Sequence, residues 1–124
     1  MEEFVNFEIA KKLKEKGFTL SKNEIIAKFN SDGVWHSQLY CNYYETMDNE
    51  EVISPTISQV LKWLRVEKNI ICLPHIDPPE EKWFFYVTIL PQACEFPEYM
   101  SSIIYNTYEE AALDGIEYIL NNLL

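Results

Sequence analysis

The chain has 124 residues, 48% hydrophobic and 15% aromatic, which suits one folded domain and excludes disorder and low-complexity sequence. Its 10 basic and 20 acidic residues give a net charge of −10, which disfavours binding to nucleic acid or to an anionic membrane surface. Arg65 is the only arginine, so the sequence holds no arginine cluster that binds phosphate.

The sequence also bears on the compartment. It begins without the basic and apolar regions of a signal peptide, and no apolar run reaches the length of a membrane span. The three cysteines are an odd number at wide spacing, as expected of reduced thiols. We therefore expect a cytoplasmic protein, either a monomer or a homodimer.

The first predicted element is a helix over residues 3–16. Val5, Ile9 and Leu13 recur every four residues, which is the period of one helix face. Gly17 follows as a residue that readily ends a helix in a left-handed conformation.

The next segment allows two readings. Ser21 and Glu24 have the spacing of a capping box, which would begin a short helix. The turn residues Asp32–Gly33 instead favour a hairpin between a strand at 25–29 and a second strand at 34–41. We favour the hairpin, because apolar residues alternate along the first strand.

The charged residues near this hairpin lie apart from its apolar face. Lys28 falls on the opposite strand face from the apolar residues Ile25, Ala27 and Phe29. The loop 45–52 is acidic and contains no basic residue, so its carboxylates are expected to be solvated.

A second helix is predicted over residues 55–66. Its start is signalled either by Pro55 at the first helical position or by a capping box of Thr56 and Gln59. An apolar stripe then runs along one helix face, and we expect Leu61, in the middle of that stripe, to be fully buried. The stripe consists of Ile57, Val60, Leu61 and Leu64.

Two further strands are predicted at 70–75 and 82–90, with a closing helix at 107–122. Pro74 lacks a donor for the strand ladder, which indicates an edge or an early end of its strand. Residues 83–87 are apolar on both faces, which indicates a central or doubly covered strand. Gly115 lies inside the last helix, where its expected role is close packing against a neighbouring element.

These elements define an α+β fold in the order α-β-β-α-β-β-α. We expect residues 1–124 to form a single compact domain with a mainly antiparallel sheet of about four strands and three helices packed on it.

Three segments resemble small uncharacterised proteins of bacterial and prophage genomes. They are residues 55–65 (PTISQVLKWLR), 7–18 (FEIAKKLKEKGF) and 105–112 (YNTYEEAA). Together they cover about a third of the chain and keep their order. The resemblance implies no activity, although a prophage setting is compatible with an accessory protein that contacts host proteins.

The sequence offers little catalytic or metal-binding chemistry. His36, Cys41, Cys72 and His75 are zinc-ligand types, but each neighbouring pair would point to opposite faces of a regular strand. No nucleophile elbow, phosphate loop or dinucleotide motif is present. We therefore predict no catalytic residues, no metal site, no cofactor and no enzyme activity, with Cys41 and Cys72 as buried structural thiols.

The favoured function is a small acidic module that binds another protein without catalysis. Two alternatives remain open: a DNA-mimic inhibitor of a host nucleic-acid-binding protein, and a small-ligand binder or enzyme with a pocket near the sheet. Aromatic and acidic residues suit a recognition surface. The candidate interaction surface comprises Trp63, Tyr43, Tyr44, Asp48, Glu50 and Glu51.

Overall fold

Helices and antiparallel strands are mixed along the chain, which confirms the predicted α+β class. The computed structural model describes residues 3–21, 24–37, 50–77, 81–90, 99–101 and 104–124, and the chain divides into two units, residues 1–56 and 57–124. The elements are α1 (Phe7–Glu15), β1 (Ala27–Phe29), β2 (Trp35–Ser37), β3 (Val52–Ile53), α2 (Ile57–Glu67), β4 (Ile70–Asp77), β5 (Lys82–Ile89), β6 (Tyr99–Met100) and α3 (Tyr108–Asn122).

The first helix begins later than its apolar period predicts. Asn6 caps α1, because its side chain accepts a hydrogen bond from the amide of Ile9 at 2.9 Å. The residues before this cap are extended, and Phe4 forms an isolated antiparallel bridge with Thr56. The predicted start at residue 3 is therefore wrong, since Phe4 and Val5 add to the apolar period without being helical.

The hairpin prediction is confirmed for the described residues. β1 pairs antiparallel with β2, and the turn between them closes when the Asn30 side chain accepts the amides of Asp32 and Val34. Gly33 adopts a φ of 82°, which is why a glycine suits this turn. β3, which was not predicted, pairs with the other side of β1, so the first unit holds a sheet in the order β2-β1-β3.

The second unit holds a separate antiparallel sheet in the order β4-β5-β6. β4 and β5 pair along their full length, from Ile70 opposite Ile89 to Asp77 opposite Lys82. The central place of β5 confirms the prediction from its apolar faces. The described strands thus form two sheets of three rather than one sheet of about four, because the short β3 and β6 each complete a sheet within their own unit.

Both helices of the second unit pack on its sheet. α2 lies against β4, and α3 lies against β4 and β5. The core between them consists of Ile57, Val60, Leu64, Ile70, Cys72, Phe85, Val87, Ala111, Ala112, Ile116, Ile119 and Leu120. Among the described residues, no helix has the length and apolar character required to cross a membrane.

The burial predicted for Leu61 is wrong. Leu64 and Val60 are 0% exposed, whereas Leu61 is only half-buried. The stripe of α2 is wider than the surface that β4 offers it. Leu61 lies on the side of the helix toward the outer edge of β4, where the described part of the unit has no further strand.

The last helix begins as predicted. Thr107 caps α3, with its hydroxyl accepting the amide of Glu110 at 3.2 Å. Further along the helix, Gly115 faces the sheet so closely that a Cβ atom there would lie 2.5 Å from the Cys72 sulfur and 3.2 Å from the Phe85 ring. Close packing at this glycine is therefore confirmed.

We expect Gly115→Ala to lower the free energy of unfolding by about 1–3 kcal/mol. The added methyl group forces a shift in a packed core, which outweighs a gain of about 1 kcal/mol in helix propensity. Denaturant titration measures the change. The same substitution in a Cys72→Ala background should cost less, since the nearest atom is then absent. An equal loss in both backgrounds would contradict the contact.

Candidate functional site

The outer edge of β4 carries backbone groups that point away from the sheet. Two hydrogen bonds fix their direction: Trp83 donates its amide to Tyr105 on the β6 side of β5, and Leu90 donates to Asn69 on the β4 side. The alternation of an antiparallel ladder then directs the backbone groups of Leu73 and His75 toward β5. It directs those of Cys72, Pro74 and Ile76 outward. The outward groups are therefore the amides of Cys72 and Ile76 and the carbonyls of Cys72, Pro74 and Ile76.

Pro74 therefore occupies a position where its missing amide costs no ladder bond. β4 is an edge strand in the described sheet and continues through the proline to Asp77. The prediction that Pro74 marks an edge is confirmed, whereas the alternative of an early strand end at residue 75 is wrong.

A cleft of about 250 Å³ follows this edge; we call it the edge cleft. One wall is α2 and the floor is β4, with the first residue of α3 nearby. Cys72 and Pro74 have their side chains on the helix side of the sheet. The cleft therefore lies on that side, next to the contact between α2 and β4. The lining residues are Leu61, Arg65, Ile71, Cys72, Leu73, Pro74 and Tyr108.

The segment that forms the α2 wall is basic, and Arg65 is its cation that lines the edge cleft. Residues 57–68 contain Lys62, Arg65 and Lys68 against the single acidic residue Glu67, in a chain with twice as many acidic as basic residues. All three cations are exposed. Lys68 lies over the Trp63 ring at 5.3 Å, whereas no hydrogen bond or ion pair joins Arg65 to another described residue. Arg65 is thus a cation available to a partner.

The opposite face of the second sheet is rich in apolar side chains. Leu73, Tyr86 and Met100 lie side by side across the three strands, and Leu73 and Met100 are 53% and 51% exposed. His75 is also on this face, with its ring 5.2 Å from Phe84. Along the strands of an antiparallel sheet, the residues that face water are normally polar. The apolar composition of this face is therefore unusual for a solvated face.

Cys72 and His75 do not form a catalytic or metal-binding pair. Cys72 lies on the helix side of β4, whereas the exposed His75 ring lies on the opposite face. Burial raises the pKa of the Cys72 thiol to about 12, which makes its nucleophilic thiolate scarce at neutral pH. The prediction of a buried thiol is confirmed for Cys72, while Cys41 lies outside the described residues.

Metal-ligating side chains are dispersed in the described parts of both units. Within those parts, no three His, Cys, Asp or Glu residues come close enough together to hold a metal ion. His36 is exposed on β2 of the first unit.

The candidate interaction surface is only partly described. Tyr43, Tyr44 and Asp48 lie outside the described residues. Trp63 is half-buried on α2, and Glu50 is exposed. The role of Trp63 and Glu50 in binding stays a prediction.

Glu51, the sixth member of that surface, has a structural contact. Its carboxylate forms an ion pair with Lys28 of β1, and the two side chains are only 17% and 11% exposed. The expectation that the loop carboxylates are solvated is therefore wrong for Glu51, and its partner Lys28 is buried as well. The reason is β3, which places Glu51 beside β1 through the pairing of Val52 with Phe29.

The first unit also contains a cavity of about 240 Å³ between α1 and β3. Its lining is mainly apolar, with Phe18, Val52 and Ile53, and Lys14 lies beside it, donating a hydrogen bond to the Glu51 carbonyl. One wall of this open cavity is the same segment, residues 51–53, that provides the buried carboxylate.

Comparison of the chain with family models, curated proteins and solved structures finds no match. Function is therefore inferred from the geometry of the described residues. Sequence patterns did not single out Arg65, Tyr108 or Ile76 as site residues. The proline in β4 was the one signal of a free edge, and the basic character of 57–68 was the one signal of a charged wall.

We expect Glu51→Gln to lower the free energy of unfolding by about 3 kcal/mol, because it removes the carboxylate charge that is paired with the buried Lys28 ammonium. The exposed neighbour provides the control: Glu50→Gln should change stability by less than about 0.5 kcal/mol. Thermal or denaturant unfolding distinguishes the two variants. Equal effects would contradict a buried pair.

Proposed function

We propose that this protein is a small interaction module that binds an extended segment of another protein by strand addition at the edge of β4. The observation that carries the proposal is the row of outward amide and carbonyl groups of Cys72, Pro74 and Ile76, which borders the edge cleft. In strand addition, main-chain hydrogen bonds supply affinity and side-chain pockets supply specificity.

The edge cleft suits the alternate side chains of such a segment. An added strand pairs with the outward groups of β4, so every second side chain lies on the helix side of the sheet. There the partner's side chain contacts Leu61, which is half-buried, and Tyr108, which is 37% exposed. An apolar side chain of the partner would complete their burial.

Burial of the Cys72 thiol and its separation from His75 favour binding over catalysis at this place. The thiol lines the cleft but has a pKa of about 12, so it contributes as a small apolar group. Burial also raises the pKa of Tyr108, with further contributions from Cys72 and Glu109. The hydroxyl is neutral near pH 7, as that of an ordinary tyrosine already is, and can donate a hydrogen bond.

The test uses peptides selected from a displayed library of random twelve-residue sequences against the whole chain. Ile76→Pro removes one outward amide, whereas Ile76→Ala removes side-chain atoms and keeps that amide. We expect selected peptides to bind the alanine variant nearly as well as the wild type. They should lose at least about fivefold in affinity on the proline variant, because one main-chain hydrogen bond is absent.

Circular dichroism and denaturation of both variants verify that the fold persists, which is expected because the Ile76 amide does not point toward β5. Equal affinity for the two variants would contradict strand addition, and so would a selection that enriches no peptide.

A further inference from the structure

We infer that the partner segment carries an acidic side chain that pairs with Arg65 at the edge cleft. This inference rests on the proposed strand addition and specifies the chemistry of the segment. It would make Arg65 the residue that selects among extended segments, since the main-chain bonds along β4 are the same for every sequence.

The first support is charge complementarity. Arg65 lines the edge cleft, is exposed and has no hydrogen bond or ion pair to another described residue. Lys62, one helical turn earlier on α2, adds a second positive charge to the same side of the helix. A guanidinium group binds a carboxylate through two parallel hydrogen bonds, which a lysine cannot reproduce.

The second support is the distribution of acidic groups around the cleft. Glu109 and Glu110 follow Tyr108 at the start of α3, where negative charge is stabilised by the helix dipole. These carboxylates repel an acidic side chain placed near Tyr108. The favourable place for the partner's carboxylate is therefore the α2 wall, beside Arg65.

The third support is spacing. Leu61 and Arg65 are four residues apart on α2, which separates them by about one helical turn, or roughly 6 Å along the axis. Side chains on one face of an extended strand recur every two residues, or about 6.6–6.8 Å. For a strand that runs alongside α2, an apolar residue and an acidic residue two positions apart therefore match Leu61 and Arg65 in turn.

The experiment uses the library-selected peptides and two variants that each remove one positive charge from α2, Arg65→Gln and Lys62→Gln. We expect the selected sequences to share glutamate or aspartate at one position, two residues from an apolar residue. Changing that acidic residue to its amide should weaken binding to the wild type about fivefold at low salt. The same change should have no effect on Arg65→Gln, and most of its effect should remain on Lys62→Gln.

The salt dependence provides a second readout, because the preference for the acidic peptide should decrease between 0.05 and 0.5 M sodium chloride. Peptides that distinguish Ile76→Pro from Ile76→Ala but show no acidic preference would overturn this inference and leave strand addition standing. An amide change that costs as much on Arg65→Gln as on the wild type would also overturn it. Peptides that fail to distinguish the Ile76 variants overturn strand addition, and the Arg65 inference with it.

Discussion

The second unit depends on the close approach of α3 to its sheet. At Gly115 the helix comes so near β4 and β5 that the Cys72 sulfur and the Phe85 ring occupy the place of a side chain. The small residues Ala111 and Ala112 continue this contact toward the start of the helix, and both are fully buried. Because α2 and α3 together cover one face of the sheet, Cys72 is held in the core and its thiol is suppressed as a nucleophile.

The same packing leaves the outer edge of β4 beside α2 rather than beneath it. Leu61 shows the consequence, since it belongs to the apolar stripe of α2 and yet is only half-buried. Pro74 interrupts the outward amides of the edge, a device that hinders unspecific pairing between edge strands. The outward amides on either side of the proline remain, so the edge can still form hydrogen bonds with an added strand, although it offers fewer donors. A specific segment with a matching carboxylate fits such a restricted edge better than a general aggregation partner does.

Local signals in the sequence predicted what depends on nearby residues. The start of the last helix, the hairpin turn at Gly33 and the central position of β5 each follow from a few adjacent side chains. The ion pair of Lys28 with Glu51 joins residues far apart in sequence and depends on β3, whose two residues are too few to show a period. Similarly, neither the outward direction of an amide on β4 nor the partial exposure of Leu61 can be read without the strand register. Sequence patterns therefore could not predict most of the candidate site, although the basic character of α2 was present in the sequence.

The central claim is that no strand of the described residues pairs with the outer edge of β4, and amide hydrogen exchange of the unbound protein tests whether this edge is free. Leu73 and His75 direct their amides toward β5, whereas the Ile76 amide points outward. The account predicts slow exchange at Leu73 and His75 and fast exchange at Ile76, because only the first two amides are in the ladder. Exchange at Ile76 that is as slow as at His75 would contradict a free edge, since the outward amide would then already have a partner.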